Sequence, residues 1–469
     1  MTAQPTDLPA VPTLALPRGF AWGAGTSSYQ IEGAVDADGK GPSIWDTFTS
    51  EPGRIVGGDT GEQACDHFHR YPEDFDLAAE LGVDTYRFSL SWPRIMPTGS
   101  GPVEPRGLAF YDRLVDGLLA RGIRPMVTLY HWDLQQSLED GGGWPSRDVA
   151  YQFADYAALA VEHLGDRVDA WSTLNEPFCS AFLGYAGGIH APGRTDPAAA
   201  LAAMHHLLLG HGLAVQALRA NARPSHELSI VLNFSHLLPA SDSPADMDAV
   251  RRVDGLHHRV FLEPVLGSGY PADVRADTAH VSDWSFVLDG DEEIIGSPID
   301  WLGINYYTST RIGASTDPSA PTPGVFPGLR GVDLLPPQGP LTSIGWEQYP
   351  DGLRDLLLRV SLAAPRLPLV VTENGSAWHD VVEADGSVVD TARVAYLVAH
   401  LRAVEQAVAA GADVRGYTAW SLMDNFEWAA GYAERFGLVH VDFATQERRI
   451  KESGRVYAET VRRQRDAAG

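Results

Sequence analysis

Cysteine and positive charge are both scarce in this chain. Cys65 and Cys179 are the only cysteines among 469 residues, which excludes a disulfide framework and indicates a reducing compartment. Only 35 Lys and Arg residues stand against 61 Asp and Glu residues, so the formal net charge is −26. Nucleic acids and anionic membranes both select basic surfaces. Neither is therefore an expected partner.

Long apolar runs and a secretory leader are also missing from the pattern. No uninterrupted apolar run approaches the ~20 residues that span a bilayer. Residues 1–17 are rich in Pro, Thr and Ala, without a basic start or a long apolar core, so we expect a disordered lead-in and not a signal peptide. The sequence predicts a cytoplasmic protein whose residues 18–465 form one domain.

Strand-like apolar runs alternate with amphipathic segments along the whole chain. The spacing predicts eight strands, at 20–25, 85–92, 124–132, 170–175, 228–235, 301–307, 367–372 and 416–422. Between them, apolar residues recur every three or four positions, as in helices that pack on a sheet. This alternation favours an α/β fold, a single (β/α)8 TIM barrel with elaborated loops on its catalytic face. The Pro- and Gly-rich stretch 314–343 is predicted to be one of those loops.

An open, doubly wound sheet is the alternative arrangement of such elements. It would carry a dinucleotide-binding glycine motif after the first strand, but Gly23 and Gly25 are followed by Ser28 where a third glycine is needed. No Cys and His spacing typical of a zinc site occurs either. We therefore expect neither a cofactor nor a metal.

Two glutamates stand at the ends of strand-like runs. Glu176 follows the run 170–175, and Glu373 follows the run 367–372. Strand ends converge on one face of a barrel, so these carboxyl groups can meet there. A lone glutamate at a strand end is more often a cap or an ion-pair partner. A pair matches the catalytic residues of a glycosidase, in which one carboxyl donates a proton and the other is a nucleophile or base.

Three motifs carry a resemblance to glycoside hydrolase family 1. They are Thr-Leu-Asn-Glu-Pro at 173–177, Thr-Glu-Asn-Gly at 372–375, and the stretch 20–33, which ends in Gln-Ile-Glu-Gly. The resemblance runs from residue 20 to about residue 451. It implies a retaining exo-β-glycosidase that hydrolyses terminal β-D-glucosyl residues by double displacement, with β-galactosyl and β-fucosyl groups left open. The partners it implies are small β-glucosides or short β-linked oligosaccharides, and homo-oligomers are left open.

The same resemblance implies a role for each site residue. Glu373 matches the nucleophile and Glu176 the acid/base. The residues that match the substrate-binding set are Gln30, His131, Trp132, Asn175, Trp346, Trp420, Glu427, Trp428 and Phe436. The residues that match the partners of the nucleophile are Arg87, Asn305 and Tyr307. Outside such a site, His131 would be interpreted as a core histidine and the tryptophans as core aromatics.

Three alternative functions differ in how well the sequence fits them. A 6-phospho-β-glycosidase needs a cationic or hydroxyl-bearing cradle after the eighth strand, whereas Glu427 and Trp428 place an anion and an indole there. A sugar-binding barrel without activity has no need for two catalytic carboxyls. A transglycosylase shares the first chemical step, and the sequence does not exclude it.

Overall fold

Parallel strands form a closed barrel in the computed structural model, which describes residues 8–221, 223–322 and 324–468. Within those residues the barrel has eight strands, and one further strand pairs antiparallel with the sixth. The barrel strands are β1 (Ala21–Gly25), β2 (Thr85–Ser89), β3 (Arg124–Tyr130), β4 (Ala170–Asn175), β5 (Glu227–Pro239), β6 (Leu302–Ala314), β8 (Leu369–Asn374) and β9 (Val414–Trp420). β7 is Val332–Leu335, and a separate hairpin pairs β10 (Val439–Val441) with β11 (Arg448–Ile450). The pairing of β5 with β6 completes the ring, so the predicted barrel is confirmed.

Helices connect the strands and cover the outside of the barrel. The α-helices are Ser28–Ile31, Ile44–Ser50, His67–Glu80, Trp92–Ile95, Pro105–Leu119, Gln136–Asp140, Arg147–Leu164, Pro197–Asn221, Pro244–Asp254, Val260–Val265, Ala272–Asp277, Asp291–Ile295, Pro350–Ala363, Thr391–Ala409 and Glu452–Ala468. Short π-helices span Cys179–Ala186 and Gly255–Arg259, and 3₁₀ turns span Ala37–Gly39, Val56–Gly58 and Trp428–Ala430.

Irregular pairing occurs beside the predicted site. The register of β4 against β5 shifts between Ser172 and Asn175, and that of β6 against β8 shifts between Ile304 and Asn305. An irregularity of this kind bends a strand and re-aims the side chains beyond it. Asn175 and Asn305, which follow the two shifts, are both predicted site residues.

One barrel helix, Pro197–Asn221, is long and apolar enough to cross a membrane. However, 78% of its most apolar window is buried inside the protein. It packs on the barrel between β4 and β5 and contacts the helix Arg147–Leu164. Its apolar character is explained by this burial on several sides.

Two segments differ from what the sequence predicts. Residues 1–7 of the expected lead-in lie outside the described residues, but residues 8–17 pack on the barrel: Leu14 and Leu16 are buried, and the Leu16 carbonyl accepts a hydrogen bond from Gln464. The expected loop at 314–343 contains β7, which extends the sheet beside β6. Gln464 lies far from Leu16 in the sequence, so local patterns do not reveal that contact. β7 pairs with the end of β6, which directly precedes its segment.

Candidate active site

A cavity of about 500 Å³ opens at the carboxyl ends of the barrel strands. Ten of the residues predicted from the sequence line it: His131, Trp132, Glu176, Tyr307, Trp346, Glu373, Trp420, Glu427, Trp428 and Phe436. The other four lie behind this lining as buried side chains, namely Gln30, Arg87, Asn175 and Asn305. The structure thus brings the whole predicted set into one region, in an inner layer and a supporting layer.

Glu373 is held at both of its carboxyl oxygens. Arg87 donates from Nη1 to Oε1 at 2.6 Å, and Tyr307 donates its hydroxyl to Oε2 at 2.7 Å. The guanidinium is fully buried and the carboxylate is almost so. Hydrogen bonds from a cation and a hydroxyl stabilise the ionised form and fix its orientation. This is the environment that a carboxylate nucleophile needs.

Glu176 is held by neutral donors. Asn305 donates from Nδ2 to Oε1 at 2.6 Å, and the Cys179 thiol donates to Oε2 at 3.1 Å. Burial and the neighbouring charge of Glu373 raise the pKa of Glu176 to about 7. A carboxyl that keeps its proton near neutral pH can act as a general acid.

Amide side chains connect the two carboxyls. Asn175 Oδ1 accepts from Arg87 Nη2 at 2.7 Å and from Asn305 Nδ2 at 3.1 Å. Asn305 Oδ1 in turn accepts from the Thr372 hydroxyl at 2.7 Å, which fixes its amide. A continuous hydrogen-bonded chain therefore runs from one carboxyl to the other, and it couples their positions through β2, β4, β6 and β8.

His131 lies between two indoles and presents an unused nitrogen. Its ring stacks on Trp420 and Trp428, with centroids 5.7 and 5.9 Å apart. Burial and the charge of Arg87 lower the pKa of His131 well below its usual value, so the imidazole is neutral. Its Nε2 accepts from Asn175 at 3.1 Å, which places the proton on Nδ1. Nδ1 is buried without a partner and is available to donate to a ligand hydroxyl.

Glu427 also offers an unused buried atom, its Oε2. Burial, followed by the charges of Glu373 and Glu176, raises its pKa to about 8. The carboxyl expected from the sequence to be an anion is thus protonated at neutral pH. With one O–H donor and the remaining lone pairs, this carboxyl can both give and accept hydrogen bonds with a diol.

Gln30 lies behind the cavity lining, as Asn175 does, and is buried. Its amide donates to Asn425 at 3.0 Å and to the Phe426 carbonyl at 2.9 Å. Its carbonyl accepts from the Ser27 hydroxyl at 2.6 Å. These contacts link Gln30 to the segment that leads to Glu427, and its contact with substrate stays a prediction.

Three cavity residues have strained backbones. Trp132, Glu176 and Trp428 have φ values of 81°, 47° and 48°. These values lie in the left-handed region that residues other than glycine rarely adopt. Strain of this kind costs about 1–3 kcal/mol per residue and persists where surrounding contacts enforce it. Its concentration in residues that line one cavity supports a functional site.

The outer part of the cavity was missed by reasoning from the sequence. The further lining residues are Phe178, Leu183, Ile189, Asn233 and His257. The Phe178 and His257 rings stack with centroids 4.3 Å apart. The position of Phe178, directly after the Glu176–Pro177 pair, was the one local signal. His257 lies on a π-helix whose position only the folded chain reveals.

Within the described residues, no group of three or more His, Cys, Asp or Glu side chains is arranged to hold a metal ion. The chemistry that the site can perform with its own residues is that of a carboxyl pair in unlike surroundings. It has one carboxyl held by a cation and a hydroxyl, one protonated carboxyl with neutral donors, and unsatisfied buried polar atoms on side chains that line an aromatic cavity.

Comparisons with known proteins agree with this geometry. A bifunctional beta-D-glucosidase/beta-D-fucosidase from Bifidobacterium breve is 49% identical over 94% of this chain and 97% of its own length. Thermostable beta-glucosidase B from Thermobispora bispora is 48% identical over 96% of this chain and 91% of its own. A crystal structure of a family 1 β-glucosidase from Thermotoga maritima superimposes with a TM-score of 0.91 at 41% identity, and covers 96% of this chain and 99% of the other.

A sequence model of glycosyl hydrolase family 1 matches residues 13–466. Those residues include the whole barrel and every residue of the cavity described above. The chain therefore belongs to glycosyl hydrolase family 1.

Proposed function

We propose that this protein is a retaining β-glucosidase that removes a terminal, non-reducing β-D-glucosyl residue, with Glu373 as nucleophile and Glu176 as acid/base. The observation that carries the proposal is the unlike surroundings of the two carboxyls. One receives a charged donor and a hydroxyl, and the other receives only an amide and a thiol. The names of the relatives supply the sugar class, glucose with fucose as a second candidate.

In the first step, a Glu373 oxygen attacks the anomeric carbon and forms a glycosyl ester. The bond to the aglycone oxygen breaks, and Glu176 delivers its proton to that oxygen. The ionisation state of each carboxyl suits its part, because Arg87 and Tyr307 stabilise the attacking carboxylate while burial keeps the proton on Glu176.

In the second step, the ester has removed the negative charge of Glu373. The repulsion that raises the pKa of Glu176 falls, so its carboxylate can accept a proton from water. The resulting hydroxide equivalent attacks the anomeric carbon from the side the aglycone left. Glu373 departs as a carboxylate, and the sugar is released with its β configuration retained.

The hydroxyl groups of the sugar have partners among the unsatisfied atoms of the cavity. His131 Nδ1 can donate, and Glu427 can both donate and accept. Trp420 and Trp428 provide apolar faces for the C–H surface of a pyranose. A neutral polyol satisfies this set, whereas an apolar ligand would leave the two buried polar atoms unpaired.

A 6-phosphoglycoside fits this cavity poorly. Of the described residues that line it, none is Lys or Arg, and the nearby Arg435 is engaged by Asp424 and the Val441 carbonyl. A buried dianion without a cation is heavily penalised. Because the raised pKa of Glu427 keeps its carboxyl protonated, the like-charge repulsion expected from the sequence is weak. The lack of a cation and the bulk of Trp428 are the stronger reasons to exclude a phosphate group.

A panel of p-nitrophenyl β-glycosides tests the proposal, with the anomeric form of the first product followed by proton NMR. We expect turnover of the glucoside and fucoside with β-sugar as the initial product. The glucoside 6-phosphate should be at least about a hundredfold less efficient, or ~2.7 kcal/mol in transition-state binding. Initial release of the α-sugar would contradict the mechanism. Equal or better kcat/KM for the 6-phosphate would establish the rival function.

A further inference from the structure

The thiol of Cys179 touches the carboxyl that is proposed to carry the acid proton. Its Sγ lies 3.1 Å from Glu176 Oε2 and its backbone N–H donates to the Glu176 carbonyl at 2.9 Å. Cys179 is buried and lines the cavity. It begins the π-helix Cys179–Ala186, so its side chain is held by a regular element and not by a loose loop.

Asn305 determines which oxygen of Glu176 carries the proton. The amide nitrogen that donates to Oε1 at 2.6 Å has no lone pair to accept with. The Asn305 carbonyl is taken by the Thr372 hydroxyl, which holds the amide in this orientation. The proton of Glu176 therefore resides on Oε2. This is the oxygen that the thiol contacts.

We propose that Cys179 is a positioning residue for proton transfer. Its thiol donates a weak hydrogen bond to Oε2 of ionised Glu176, so that the carboxyl can both give up and regain its proton in each cycle. The proposal rests on the proposed function, because it needs Glu176 to be the acid/base. It goes beyond that function by assigning a part in the reaction to a side chain that neither attacks the sugar nor donates to it.

The choice of sulfur matters because a thiol is a weak donor and a weak acceptor. Burial and the nearby Glu176 charge raise the pKa of Cys179 well above its usual value, so the thiol keeps its hydrogen. When Glu176 is ionised, the S–H supports Oε2. When Glu176 is protonated, the sulfur competes poorly for the O–H, which stays free for the leaving oxygen. A serine hydroxyl would hold the carboxylate more tightly, and an apolar side chain would not hold it at all.

Other groups also act on Glu176, and the test must separate them from Cys179. The charged and titratable residues that face it from the neighbouring elements are Arg87, His131, His190, His257, Tyr307, Glu373 and Glu427. Each of them is unchanged in a Cys179 variant. Differences between variants at this one position therefore report the contact with Oε2.

The test compares pH profiles of kcat/KM for the wild type, Cys179→Ser and Cys179→Val with an alkyl β-glucoside. Valine fills the space of the thiol and excludes water, but it has no donor. The alkaline limb reports loss of the acid proton. We expect it to move to lower pH in Cys179→Ser and to higher pH in Cys179→Val, by about 0.5 unit each, as a hydrogen bond of ordinary strength predicts. The acidic limb should stay in place.

Cys65→Val is the matched control. Cys65 is also buried, and its thiol donates to the Asp424 carbonyl at 3.1 Å, outside the cavity lining. The alkaline limb of the Cys65→Val pH profile should coincide with that of the wild type. Limbs that do not move in the Cys179 variants, or that move in the same direction in both, would overturn the inference. A wild-type enzyme with no glucosidase activity, or with no alkaline limb, would instead overturn the proposed function.

Discussion

Glu373 and Glu176 carry the same side chain in the same cavity, yet the barrel surrounds them differently. Glu373 meets the guanidinium of Arg87, which has come from β2, and the hydroxyl of Tyr307 from β6. Glu176 meets the amide of Asn305 and a thiol from its own connecting segment. Every donor to the first is strong or charged, and every donor to the second is neutral.

The difference teaches how one chemical group performs two opposite tasks. Glu373 lies beside the opposite charge of Arg87, which attracts and orients a carboxylate, whereas Glu176 has only neutral donors. Burial and the charge of Glu373 raise the pKa of Glu176 to about 7. The same side chain is therefore suited to donate a proton at one position and to attack at the other.

Removing the proposed nucleophile should have the largest effect. In Glu373→Ala we expect kcat/KM for an aryl β-glucoside to fall at least about 10⁴-fold, because the covalent step is lost. Small anions such as azide or formate should partly restore turnover and yield an α-linked product, which NMR would detect. Glu447→Ala, at an exposed site, is the control. Near-normal activity in Glu373→Ala would remove this assignment.

Removing the proposed acid should have a smaller effect that depends on the leaving group. In Glu176→Ala we expect glycosylation to slow about 10³-fold for an alkyl β-glucoside, whose departing oxygen needs a proton. The loss should shrink to about tenfold or less for a dinitrophenyl glucoside. A Brønsted plot of kcat/KM against leaving-group pKa measures this. An equal loss across the series would show that Glu176 is not a proton donor.

Weakening one donor to Glu373 should reduce the contrast between the carboxyls without abolishing it. Tyr307→Phe deletes the hydroxyl at 2.7 Å from Oε2, and a hydrogen bond to a charged group contributes about 1.5–3 kcal/mol. Pre-steady-state kinetics should show glycosylation slowed by about ten- to a hundredfold. Tyr306→Phe is the matched control, because its hydroxyl donates to the Tyr349 carbonyl outside the cavity. If both variants lose the same amount, the Tyr307 hydroxyl has no special part.

The smallest expected effect is on the pH dependence of kcat/KM. Glu176 must be protonated to act as acid, so kcat/KM for an alkyl glucoside should fall by about tenfold per unit above a midpoint near its pKa of about 7. With a dinitrophenyl glucoside, Glu176→Ala should lose this limb. A limb near 7 that persists in that variant would assign the titration to another group.

Much of this architecture can be predicted from sequence patterns. The β-branched run before Glu373 and the apolar run before Glu176 mark two strands, and their common parallel direction places both carboxyls on one face. The π-helix after Glu176 and the register shifts beside Asn175 and Asn305 could not be predicted. They arise from packing between segments far apart in the chain, and local propensity does not record such contacts.

The ionisation of Glu427 could not be predicted from the sequence. Glu427 was expected to be an anion, but its burial beside two other carboxyls raises its pKa to about 8. The partners of the Gln30 amide, Asn425 and the Phe426 carbonyl, were not predicted either. Both observations depend on which groups the folded chain places within a few ångströms, and no spacing along the chain gives that information.

The most direct test of the account is to trap the covalent intermediate and locate it. An activated 2-deoxy-2-fluoro-β-glucoside should inactivate the enzyme, because the fluorine slows both steps while the good leaving group keeps the first step fast enough for the glycosyl ester to accumulate. Peptide mapping by mass spectrometry should then find one fluorodeoxyglucosyl group on Glu373, and none on Glu176. A label on Glu176, or full inactivation without any covalent label, would contradict the division of labour between these two carboxyls.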